Sequence, residues 1–159
     1  MTLPRLHVAA MCIAMALGAQ LPHDARASGS KRPPSTNANW QSECGSCHVA
    51  YPPRLLPADS WRAIVDRLDR HFGTDASIDE ATASSIRTFL ETNAGGDHGV
   101  GAAAPVLRIT ETARFRRKHG DIPAAVWRSE KVSSAANCAA CHAGADRGSF
   151  SDHDARIPR

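Results

Sequence analysis

The pattern Cys-x-x-Cys-His occurs twice in this chain, at Cys44-Gly45-Ser46-Cys47-His48 and at Cys138-Ala139-Ala140-Cys141-His142. At average residue frequencies one copy arises by chance in a chain of this size on the order of once in a thousand, so two copies are not accidental. Two thiols followed at once by histidine form the attachment pattern for a c-type haem. The thiols add to the vinyl groups of the macrocycle, and the adjacent imidazole is placed to bind iron from one side. A zinc site could use the same cysteines, but it gives no reason for histidine to follow immediately in both copies. Two tethered porphyrins therefore constrain the fold more than any helix or strand pattern does.

The first 27 residues read as an export signal. Arg5 supplies the positive start, Val8–Leu17 the apolar run, and Ala25-Arg26-Ala27 a small-x-small cleavage site before Ser28. That run is well short of the roughly 20 residues that span a bilayer. Cleavage removes Cys12, one of five cysteines, and leaves only the four of the two motifs. A disulfide would then destroy an attachment site. Covalent haem attachment in bacteria occurs outside the cytoplasm, so the expected location is the periplasm. Of 159 residues, 132 would remain, with a formal charge of +2 once Arg5, Asp24 and Arg26 leave. Haem propionates bring this near neutral, and nothing supports a nucleic-acid partner.

Residues 28–37 form a polar, proline-containing tail, and 38–159 are expected to form one domain. Its first haem half covers 38–94, a glycine-rich connector 95–105, and its second haem half 106–159. A short helix leads into Cys44, and Tyr51-Pro52-Pro53 breaks it. Trp61, Ile64, Val65, Leu68 and Phe72 fall on one stripe of a helix that begins near Ala58 and ends at Gly73. A second helix opens on a capping box, Ser77 with Glu80, and turns Ile78, Ile86, Phe89 and Leu90 inward. Thr110–Thr112 start a short helix to His119, with Phe115 on the same face. Ser133–Ala143 is expected as a helix presenting Cys138, Cys141 and His142, followed by a polar tail. No segment alternates like a strand. The expected class is all-α with much irregular loop, and the haems form much of the core because strong aliphatics are sparse.

The second face of each iron is the next constraint. All three methionines (Met1, Met11, Met15) lie in the signal, so His/Met ligation is excluded for both haems. With His48 and His142 as proximal ligands, the remaining histidines are His71, His98, His119 and His153. His71 sits at the edge of an apolar stripe beside Phe72, and His119 shares a face with Phe115; these two are the expected distal ligands. His98 lies in Gly-Gly-Asp-His-Gly, where backbone freedom makes holding an iron entropically expensive. His153, in a polar tail, is held in reserve.

The segments Glu43–Pro53, Leu56-Pro57-Ala58, His71-Phe72-Gly73, Ile109–Thr112, Asn137–His142 and Ile157-Pro158-Arg159 resemble the small dihaem cytochrome c proteins of proteobacteria across essentially the whole mature chain. The resemblance implies a periplasmic, non-enzymatic electron carrier with two low-potential bis-histidine haems. It also implies association with a membrane cytochrome b donor and with a small soluble haem protein as acceptor. It supports His71 and His119 as ligands, leaves His153 in reserve, and does not settle which serves which haem, although sequence proximity favours His71 with the first. A monomer is expected. Two other readings remain: a dihaem protein with one open haem that binds a small ligand or acts as a peroxidase, and a dihaem subunit of a periplasmic reductase. Arg114, Arg116, Arg117 and Lys118 form the only dense basic cluster, either a solvated helix face, a docking patch for an acidic partner or counter-charge to propionates.

Overall fold

A computed structural model describes residues 36–95 and 104–158; the signal, most of the polar tail, most of the connector and His98 lie outside them. Among the described residues there are five α-helices: α1 (Ala38–Cys44), α2 (Ala58–Val65), α3 (Glu80–Thr92), α4 (Ala113–His119) and α5 (Ala124–Trp127). Five single 3-10 turns link them, and the only β contacts among the described residues are two isolated bridges. No helix among the described residues is long and apolar enough to cross a membrane. The fold is helical with long irregular stretches, as the sequence implied.

Helix starts follow local polar chemistry. Asn37 caps α1 by accepting from the Trp40 N–H, Asp79 caps α3 through the Thr82 N–H, and Thr112 caps α4 through the Phe115 N–H. The expected capping box at Ser77 is not used. The Ser77 N–H donates instead to Asp75, and the charged Asp79 side chain takes the cap.

The apolar stripe after Ala58 is also shorter than expected. α2 ends at Val65, Arg67 leaves helical geometry with φ −134° and ψ 36°, and Leu68–Arg70 form a 3-10 turn. Phe72 (φ 50°) and Gly73 (φ 100°) then reverse the chain, and Thr74 donates to the His71 carbonyl. Phe72 therefore projects outward, 46% exposed, instead of joining the core. Left-handed backbone at a phenylalanine costs on the order of 1–2 kcal/mol, and here it accompanies the turn that carries His71.

α1, α2 and α3 pack around Trp40, Leu56, Trp61, Val65, Ile86, Phe89 and Leu90. Trp61 also satisfies its indole N–H on the Pro53 carbonyl at 2.7 Å. Arg62 donates from Nε and Nη2 to the two carboxylate oxygens of Glu91, linking α2 to α3 at the surface. Every buried residue of that cluster belongs to the first half, and Ile109 of the second half packs against it. Past residue 105 the buried apolar residues among those described are Val132 and Ala145.

The segment Ser133–Ala143 is not a helix. Ser133 sits at φ 64°, Asn137 bonds back to the Val132 carbonyl, and a single 3-10 turn covers Cys138–Ala140. Ser and Asn side chains here compete for the backbone groups that a helix needs, and no apolar stripe outweighs them. The tail beyond Gly144 is tethered: the Arg54 guanidinium donates to the Gly148 carbonyl, Lys118 pairs with Asp152, and the Arg156 N–H reaches the Cys141 carbonyl.

Candidate haem sites

At the first motif, α1 ends on Cys44, and Gly45 closes it by donating to the Gln41 carbonyl. Any side chain at Gly45 would overlap that same carbonyl, so glycine is required where the chain turns out of the helix. Cys44 is half-buried against the core while Cys47 is exposed. Burial, with Glu43 adding to it, pushes the Cys44 thiol up to about 11. The Nδ1 of His48 lies 2.8 Å from the Val49 carbonyl. A carbonyl only accepts, so Nδ1 must carry the proton and Nε2 keeps its lone pair for a metal. The Tyr51 ring stacks on His48 at 4.7 Å and 24°.

His71, delivered by the turn after α2, faces His48 with ring centroids 6.3 Å apart and planes 27° apart. Burial, then the neighbouring His48 and Arg108, lowers the His71 pKa and favours the neutral imidazole that ligates metals. Phe72 meets His71 edge-on, and the Arg108 guanidinium lies 4.2 Å over the Phe72 ring.

The second motif is presented by a single 3-10 turn, with Cys138 and Cys141 both half-buried and their thiols raised by that burial. His142 donates its backbone N–H to the Cys138 carbonyl at 2.9 Å. Its partner is His119, the last residue of α4, at 6.2 Å and 71°. His119 Nδ1 lies 3.0 Å from the Phe115 carbonyl and its ring stacks on Phe115 at 4.1 Å and 13°. As at His48, the carbonyl fixes the tautomer and frees Nε2. His142 differs: its Nδ1 is sealed from solvent without a partner of hydrogen-bonding geometry, although the Ser151 backbone stands close enough to favour its charged form. Burial outweighs that influence, and the His142 pKa falls. An open hollow lined by Thr110, Phe115, Ile122, Ala124 and Trp127 lies beside His119, an apolar surface of the kind a porphyrin face covers.

Metal–imidazole bonds of about 2 Å on opposite sides of one ion place the two ring centres about 6 Å apart. Both histidine pairs have that spacing, so each could hold a six-coordinate iron between its rings. Among the described residues no group of three or more His, Cys, Asp or Glu converges on one point, as a zinc site would require. His153 is exposed and makes no ring contact with either pair; its backbone N–H bonds Ser151. Of the residues that orient the imidazoles, the sequence points to Phe115, which shares a helix face with His119, but not to Val49 or Tyr51. In the sequence Tyr51 stands out only as part of a helix break, and its position three residues after His48 is the one available signal of its contact with that ring.

The profile of the family described as dihaem cytochrome c matches residues 40–150. The chain belongs to the dihaem cytochrome c family. As a member it carries two c-type haems with iron, and haem-based electron transfer with redox partner proteins is what membership implies. Among solved structures, a dihaem cytochrome c from Rhodobacter sphaeroides is 41% identical, with a TM-score of 0.66 over 75% of this chain and 100% of its own. A second structure from the same organism is 46% identical with a TM-score of 0.63, covering 73% and 98%. A dihaem cytochrome from Shewanella baltica is 41% identical with a TM-score of 0.67, covering 77% and 93%. No curated protein matches the chain.

Proposed function

We propose that this family member is a periplasmic electron carrier rather than an enzyme, with both irons closed by histidine. Thioethers would form at Cys44 and Cys47 and at Cys138 and Cys141. His48 with His71 would ligate the first iron, and His142 with His119 the second. The observation that carries this reading is the pair of ring separations, 6.3 and 6.2 Å. A bound haem supplies a one-electron couple; the chain's own residues bring the imidazoles together in pairs and fix the tautomers of His48 and His119. Carbonyl acceptors at Val49 and Phe115 hold the His48 and His119 rings in the tautomer that leaves Nε2 free to ligate. Imidazole on both faces, with no thioether ligand, favours ferric iron and supports low potentials at both sites.

Residues 1–27 would direct export and be removed. Electrons would arrive from a membrane cytochrome b or quinol-linked donor and leave to a small soluble haem protein, with the carrier monomeric. The deciding experiment is a visible spectrum of the reduced holoprotein with and without carbon monoxide. Two unperturbed low-spin haems are expected. Rapid, stoichiometric carbon monoxide binding at either site would overturn the carrier reading in favour of an open, ligand-binding haem.

A further inference from the structure

Tyr51 touches both haem sites. Its ring lies against His48, stacked at 4.7 Å. Its hydroxyl donates to the Ala136 carbonyl at 2.6 Å, across 85 residues of sequence. Ala136 stands two residues before Cys138, and the same carbonyl accepts the Cys138 backbone N–H at 3.0 Å. One side chain thus runs from the imidazole of the first motif to the backbone that opens the second.

The need for such a link is visible at the second motif. The loop before Cys138 is built from local turns, with only a 3-10 turn under the cysteines. His142 lacks the Nδ1 partner that holds His48 and His119, so its ring is placed by its backbone and its packing against Phe150. Whatever fixes that backbone therefore sets the angle between His142 and His119, here 71° against 27° at the first site.

We propose that Tyr51 is a positioning residue for both haem sites: its ring fixes the plane of His48, and its hydroxyl locks the loop that carries Cys138 and His142. This rests on the axial ligation proposed above. Crossed axial imidazoles give a ferric low-spin centre a more anisotropic paramagnetic resonance signal than near-parallel ones. The two sites should therefore give separate signals in the oxidised holoprotein.

Tyr51→Phe keeps the ring on His48 and loses only the bond to Ala136. It should shift the more anisotropic signal and the potential of the second haem while leaving the first in place. Tyr51→Leu removes both contacts and should shift both signals. If Tyr51→Leu fails to take up haem, Tyr51→Phe alone decides the matter. A Tyr51→Phe protein whose second haem keeps both its signal and its potential overturns the proposal, because loss of general stability would move neither. A Tyr51→Leu holoprotein with an unmoved first signal does the same. Should the wild-type protein lack two low-spin signals, the axial assignment falls, and the second-site potential in Tyr51→Phe still decides the role of Tyr51.

Discussion

His71 and His119 reach their partners by different means. His71 arrives on a reversed turn that places Phe72 at φ 50°, while His119 ends a regular helix and is held by a carbonyl and a stacked ring. Both are half-buried, and neither contributes to the α1–α3 core, so replacing them should leave the scaffold folded. His71→Ala is expected to convert the first haem alone to a high-spin or water-bound state. His119→Ala should do so at the second alone. Visible spectra and paramagnetic resonance of the two holoproteins check this, and a variant that perturbs the other haem would show the pairing to be crossed. Each change removes a half-buried ring from outside the core, so it should cost no more than about 1–3 kcal/mol of stability.

α4 sets the basic cluster beside the proposed ligand His119 within about two turns of helix. Arg114, Arg116, Arg117 and Lys118 are exposed on the same seven residues that end in His119. Lys118 is engaged with Asp152, whereas Arg54, donating to Gly148, lies close enough to Arg114 for the two charges to oppose each other. Basic residues in the last turn also suit the negative end of the helix, which gives the cluster a structural use beside the proposed docking one. If it steers an acidic redox partner, association should slow as salt rises, because exposed charges farther apart than about 8–10 Å are screened at 0.1–0.15 M. Stopped-flow mixing with a candidate acceptor at low and high ionic strength measures this. A salt-independent rate would return α4 to the reading of a solvated face.

At the scale of the molecule the two halves are unequally built. The first has three packed helices and a continuous apolar cluster; the second buries Val132 and Ala145 and little else. Full burial of a valine contributes about 1.5–3 kcal/mol, against about 1–2 kcal/mol of backbone entropy for every residue ordered. The second half therefore depends on its haem, whose apolar faces supply what the chain lacks. A Cys138→Ala/Cys141→Ala protein, carrying only the first haem, should keep the helical circular dichroism of α1–α3. Its residues 106–158 should become sensitive to limited proteolysis. Equal protease resistance in the two halves would show that the second half orders without a covalent haem.

The attachment motifs, the absence of any methionine after Met15, the helical class and the choice of His71 and His119 as candidates were all legible in the sequence, because each rests on residue identity or short-range spacing. The tertiary structure decided what depends on competition between segments. It ended α2 at Val65, turned Phe72 outward, moved the α3 cap from Ser77 to Asp79 and denied a helix to Ser133–Ala143. It also brought the His71 ring near His48 and the His119 ring near His142, with planes 27° and 71° apart. Ring orientation follows from contacts such as Tyr51 with Ala136, 85 residues apart. Local periodicity carries no information about a bond of that reach, and only the folded chain brings its two ends together.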